Sequence, residues 1–123
     1  MVNVLIAEDN LMNQKLIEIL IKRMGWACSI VGDGIKAVEE CLKGGYDVIL
    51  MDIDMPRMDG YEATRVIRSH QIDIPIIALT AYCEDIFQDQ SYKAGMNNFL
   101  PKPYNKELIY TTILNSLRSV NVA

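Results

Sequence analysis

Three short runs of the chain are apolar on consecutive positions instead of alternate ones: Val2 to Ala7 (VNVLIA), Tyr46 to Met51 (YDVILM) and Ile74 to Leu79 (IPIIAL). A strand with one wet face alternates apolar and polar residues, because neighbouring side chains point to opposite sides of the sheet. Runs without that alternation imply strands covered on both faces, the condition of a parallel sheet between two layers of helices.

The intervening segments supply those helices. Asn10 to Met24 has helical spacing, with Asn10 as N-cap and Met12, Leu16, Ile19, Leu20 and Met24 assigned to the inner face. Asp33 caps a second helix, whose inner face is read as Ile35, Val38 and Leu42 and which stops at Gly44-Gly45. Gly60 to His70, Glu84 to Ala94 and Asn105 to about Arg118 are the remaining helices, the fourth with a thin apolar face of Ile86 and Phe87. Trp26 to Val31 (WACSIV) and Asn98 to Leu100 complete the strands. The pattern predicts an α/β fold, a doubly wound five-stranded parallel sheet in a three-layer α/β/α arrangement. At 123 residues the chain is read as a single domain, 1–123.

Composition narrows the partners. A net charge of −4 and dispersed basic residues leave no stripe for a phosphate backbone, so no nucleic acid is expected. No apolar run approaches the ~20 residues that span a bilayer, and no membrane insertion is expected. The N-terminus has no charged segment ahead of an apolar one, hence no signal peptide. Cys28, Cys41 and Cys83 match neither CxxC nor zinc-ligand spacing and are read as reduced thiols of a cytoplasmic protein.

Chemistry gathers at the strand ends. Val48 to Gly60 (VILMDIDMPRMDG) runs from apolar strand into three aspartates, a proline and a glycine. In parallel sheets ligands bind beyond the carboxyl ends of the strands. Glu8 and Asp9 follow the first strand, Asp52 ends the third, Thr80 follows the fourth and Lys102 the fifth. Packed carboxylates repel one another unless a cation joins them, and Mg²⁺ is a hard ion that takes oxygen ligands. An aspartate can attack a phosphoryl group. A lysine and a metal neutralise that group's charge, and a threonine hydroxyl can donate to one of its oxygens. Asp59-Gly60 is a turn signal that starts the third helix.

Glu8-Asp9, MDIDMPRMDG, LTA (Leu79 to Ala81) and KP (Lys102-Pro103), in this order and spacing, resemble the marks of the response-regulator receiver family over essentially the whole chain. The resemblance implies a flavodoxin-like three-layer fold with a strand order of 2-1-3-4-5. It implies Asp52 as phosphoacceptor and Mg²⁺ held by Glu8 and Asp9, directly or through water, with Asp52 and the backbone carbonyl of Asp54 completing the protein ligands. Thr80 and Lys102 would contact the phosphoryl group, and Lys102-Pro103 would be a cis peptide. The phosphate would come from a phosphohistidine on a histidine kinase or histidine phosphotransfer protein. The receiver would catalyse only that transfer and its own dephosphorylation, acting on no other substrate.

Thr80 and an aromatic on the fifth strand form the family's switch. Here the aromatic position is Phe99, which lacks the hydroxyl of the commoner tyrosine and is equally read as a core residue. Asp54 and Tyr82 fall where the family tunes phosphate lifetime. The output surface, for an unknown downstream partner, is expected on the fourth helix, fifth strand and fifth helix. EDNLMNQ (Glu8 to Gln14) looks like receivers of the hybrid sensor kinase type. The chain is either a free-standing receiver or a piece of a longer protein.

Two alternatives stay open. A haloacid-dehalogenase-like phosphatase also carries DID after an apolar strand, but on its first strand and with its metal acids late in the chain. A receiver-like module that is never phosphorylated needs none of the site. His70 is read as a solvated residue and the methionines as core filling or loop anchors.

Overall fold

The computed structural model describes residues 1–81 and 85–121, with backbone alone for 85–87 and 119–121. Strands β1 (Asn3–Ala7), β2 (Ala27–Val31), β3 (Val48–Asp52), β4 (Ile76–Thr80) and β5 (Asn98–Pro101) alternate with helices α1 (Leu11–Arg23), α2 (Gly34–Lys43), α3 (Gly60–Ser69), α4 (Asp85–Ala94) and α5 (Lys106–Asn121). The sheet is parallel throughout, in the order β2-β1-β3-β4-β5. No described helix is long and apolar enough to cross a membrane.

Both faces of the sheet are dry, which accounts for the unalternating runs. On one face Leu5, Ala7, Ile49, Met51, Ile76 and Ala78 pack with Ala37, Val38 and Cys41 of α2 and Ala63 and Ile67 of α3. On the other, Val4, Ile6, Val48, Leu50, Ile77 and Leu79 meet Ile17, Leu20 and Ile21 of α1 and Ile109 and Ile113 of α5. β1, β3 and β4 occupy the three central places, and β2 is only partly buried at the edge.

The helix caps follow the sequence. Asn10, Asp33 and Asp59 accept hydrogen bonds from the backbone N–H groups of Asn13 (3.0 Å), Lys36 (2.8 Å) and Glu62 (2.8 Å). The inner faces of two helices do not. In α1 the buried stripe is Ile17, Leu20 and Ile21 with Met24 packed against it, while Met12, Leu16 and Ile19 face outward. Apolar residues lie on most of this helix's circumference, so periodicity alone does not choose between stripes; the sheet does. In α2, Val38 is buried, but Ile35 and Leu42 are exposed, and Gly34, Ala37 and Cys41 lie inward. Small residues let this helix sit close to its neighbours, and a reading weighted to large side chains passes over them. The Ile86 and Phe87 side chains lie outside the described residues.

Trp26 precedes β2 and stacks on Tyr110 of α5, with ring centroids 5.4 Å apart and planes inclined by 15°. Cys28 and Cys41 are free thiols, and Cys83 lies outside the described residues.

Candidate functional site

Parallel strands end at one edge, and the chemistry meets there. Glu8 continues β1 by one residue, its N–H donating to the Val31 carbonyl at 3.0 Å. Its side chain is fully buried. Asp9, next along, is exposed. Asp52 is the last residue of β3 and only 4% exposed. One carboxylate oxygen from each of Glu8, Asp9 and Asp52 lies within 4.8 Å of the others.

Lys102, just past β5, closes the group. Its Nζ donates to Asp52 Oδ2 at 3.2 Å and stands 3.6 Å from Glu8 Oε1. Thr80 ends β4 as a buried hydroxyl residue, and its carbonyl accepts from the Lys102 N–H at 2.9 Å. Lys102-Pro103 is cis. All five residues expected from sequence at this edge are brought together.

The β3–α3 loop is pressed against the site by two close approaches. Gly60 opens α3 directly over the Asp52 carbonyl, where any Cβ would collide with backbone. Its N–H donates to the Ile53 carbonyl at 2.9 Å, and Thr64 Oγ1 donates to the Gly60 carbonyl at 2.7 Å. Gly34 likewise leaves no room for a Cβ beside the Met58 carbonyl, to which its N–H donates at 3.2 Å. Within the loop, the Asp54 N–H donates to Asp52 Oδ1 at 3.2 Å while the residue itself is exposed.

Two further residues hold Glu8, and sequence reading missed both roles. Gln14, on α1, donates from Nε2 to the Glu8 carbonyl at 2.5 Å. Tyr104 donates its hydroxyl to Glu8 Oε1 at 3.1 Å, while the Asn10 N–H donates to Oε2 at 3.2 Å. The only signals for these residues were proximity: Gln14 closes the EDNLMNQ stretch, and Tyr104 follows Lys102-Pro103.

The charges are strongly coupled. Burial, then the neighbouring Glu8, pushes Asp52 up to about 7. Asp9 is raised by burial and by Glu8. Burial alone would raise Glu8 too, but bonds from its neighbours and the Lys102 ammonium hold it below the ordinary carboxylate value. Lys102 is raised, the carboxylates of Asp52 and Glu8 outweighing its burial. Without a cation, then, Glu8 carries the charge and Asp52 keeps its proton more readily. Three oxygen donors this close, with an excess of negative charge, fit a hard divalent cation such as Mg²⁺.

Phe99 is half-buried on β5 and packs on the α2–α3 side of the sheet. Tyr82 lies outside the described residues. His70 caps the C-terminus of α3, its Nδ1 2.9 Å from the Val66 carbonyl, remote in sequence from every strand end.

Residues 4–114 match the family model of the response regulator receiver domain. Hybrid signal transduction histidine kinase I of Dictyostelium discoideum is 40% identical over 119 residues, which take in 89% of this chain and 7% of that kinase. Among solved structures, the receiver domain of the Pseudomonas aeruginosa sensor histidine kinase PA1611 is 37% identical with a TM-score of 0.87, covering 94% of this chain and 97% of that one; it holds a magnesium ion coordinated in its active-site cleft. The receiver domain of the Saccharomyces cerevisiae response regulator Ssk1, solved with the histidine phosphotransfer protein Ypd1, is 27% identical with a TM-score of 0.91, over 97% of this chain and 90% of that one.

Proposed function

The chain belongs to the response regulator receiver family, and from that premise we propose that Asp52 accepts a phosphoryl group from a phosphohistidine on a histidine kinase or histidine phosphotransfer protein. One observation carries the reading. A buried aspartate at the end of β3 stands between two further carboxylates and a lysine 3.2 Å away. The relatives support the donor class: one is a hybrid histidine kinase, and another receiver was solved with a histidine phosphotransfer protein.

In the transfer, an ionised Asp52 oxygen forms a bond to phosphorus while the phosphorus–nitrogen bond of the donor breaks. The imidazole leaves with that electron pair. Glu8, Asp9 and Asp52 would hold Mg²⁺, with the Asp54 carbonyl as a further ligand, and the bound cation would supply neutralising charge for the phosphoryl oxygens and for an ionised Asp52. The Lys102 ammonium, already at Asp52 Oδ2, pairs with an incoming phosphoryl oxygen, and the Thr80 hydroxyl donates to another. Asp54 and Tyr82, at the positions where the family tunes phosphate lifetime, set the lifetime of the phosphate here.

The donor approaches over the first turn of α1. That turn follows Glu8 and Asp9 at the rim of the site, and Leu11 and Met12 are 75% and 81% exposed there. A donor that brings its histidine to Asp52 covers both. Residues 1–123 act as one receiver of cytoplasmic two-component signalling, with no catalysis beyond self-phosphorylation and self-dephosphorylation. The output surface for its downstream partner lies on α4, β5 and α5, and Phe99 follows Thr80 when the site is occupied.

Intact mass after incubation with Mg²⁺ and acetyl phosphate tests the reading. One added phosphate that requires Mg²⁺ and vanishes in Asp52→Ala is expected. Continuous turnover of a phosphomonoester without an adduct on Asp52 would instead identify a phosphatase.

A further inference from the structure

Glu8 has one more methylene than an aspartate, and therefore one more torsion to fix before its oxygen can serve a cation. The structure fixes it from three sides. Oε2 takes the Asn10 N–H at 3.2 Å, and Oε1 takes the Tyr104 hydroxyl at 3.1 Å with Lys102 Nζ at 3.6 Å. Of these donors, Lys102 is the one that phosphoryl transfer calls away, since its ammonium also faces Asp52. Tyr104 then remains as the donor on Oε1.

Tyr104 is placed to do this. It lies between Lys102-Pro103 and Asn105, whose side chain and carbonyl accept from the Leu108 and Ile109 N–H groups at 3.1 and 2.9 Å and so anchor the start of α5. Its half-buried ring packs on the α1–α5 core, so the hydroxyl is delivered by a fixed side chain.

We propose that Tyr104 is a positioning residue for the cation site, holding Glu8 in its ligating orientation through the hydroxyl–Oε1 hydrogen bond and so tying the start of α5 to metal occupancy. The proposal rests on the reading of Glu8 as a Mg²⁺ ligand. Outer hydrogen bonds to metal ligands typically account for about 10–100-fold in affinity.

Isothermal titration of Mg²⁺ into the unphosphorylated protein tests it, with Tyr104→Phe, Glu8→Asp and the double variant beside the wild type. Tyr104→Phe keeps the ring and removes only the hydroxyl. It is expected to weaken Mg²⁺ binding about tenfold while the melting temperature in EDTA changes little. The shorter carboxylate of Glu8→Asp cannot keep the bond, so in that background Tyr104→Phe should cost less than about twofold, the signature of coupled residues. If the wild type binds no Mg²⁺, the metal-site reading itself fails. If the wild type binds and Tyr104→Phe binds equally or more tightly, the positioning role is overturned. Equal weakening in both backgrounds also overturns it, because the effect would not pass through Glu8.

Discussion

Burial beside Glu8 makes an ionised Asp52 costly to stability. Its pKa is raised from the ordinary 3.8 to about 7. A group raised on folding contributes stability that is complete below the unfolded value and is lost as pH rises through the folded one. Metal-free protein should therefore lose stability between about pH 4 and pH 8. At about 1.36 kcal/mol per unit, the cost is at most about 4 kcal/mol at the upper end, reduced by Glu8, whose shift runs the other way. Asp52→Asn removes the charge and keeps the shape. In EDTA at pH 8 it should melt several degrees above the wild type, and saturating Mg²⁺ should narrow or reverse the gap, because the cation favours the ionised carboxylate. Thermal melts with and without Mg²⁺ check this; an Asn variant that melts at or below the wild type in EDTA would refute the strain. At this scale the sequence was highly legible for Glu8, Asp9, Asp52, Thr80 and Lys102, since each is tied to a strand end that the apolar runs locate. Tyr104 and Gln14 were not legible: a hydroxyl or an amide near a site says nothing of its acceptor until the fold supplies one.

Helix α1 shows what pattern reading resolves and what it does not. Its existence, its Asn10 cap and its approximate length follow from local chemistry. Its inward stripe does not, because Leu11, Met12, Leu16 and Ile19 compete with Ile17, Leu20, Ile21 and Met24, and only packing against the sheet decides. The apolar residues left outside then need a reason, and for the first turn the proposed docking of the donor supplies one. Replacing Leu11 or Met12 by Asp should change stability by no more than about 0.5 kcal/mol, as for other exposed positions. Transfer from a phosphorylated histidine phosphotransfer protein should nevertheless slow at least about tenfold, an interface loss of about 1.4 kcal/mol. Phosphorylation by acetyl phosphate, which needs no such surface, should be unchanged. Equal slowing with both donors would place the defect in the site and not in docking. Helix α2 was misread for the opposite reason: Gly34, Ala37 and Cys41 are small, and closeness of packing leaves no mark in hydrophobic periodicity.

Across the whole molecule, the alternation of strands and helices fixes a parallel α/β sheet, whereas the order β2-β1-β3-β4-β5 came from resemblance and is borne out by the pairing. That order makes the site a junction. β1 and β3 carry the acids, while β4 and β5 bring Thr80 and Lys102 from the other side. The strand bearing Thr80 leads toward α4 and the strand that Lys102 follows leads toward α5, and the two pair directly, Thr80 opposite Pro101. On the proposed function, a phosphoryl group on Asp52 would draw both residues toward itself and so deliver the displacement to the β4–β5 half. The β1–β2 half has no such handle, because Glu8 is already held by Gln14, Asn10 and Tyr104. Amide shifts recorded with and without phosphorylation should therefore move most at the strand ends around Asp52 and across residues 84–118, and least over α2 and β2. The exception expected in the first half is the turn that carries Asp9, which meets the cation. Unchanged shifts over 84–118 in a fully phosphorylated sample would remove α4, β5 and α5 as the output surface.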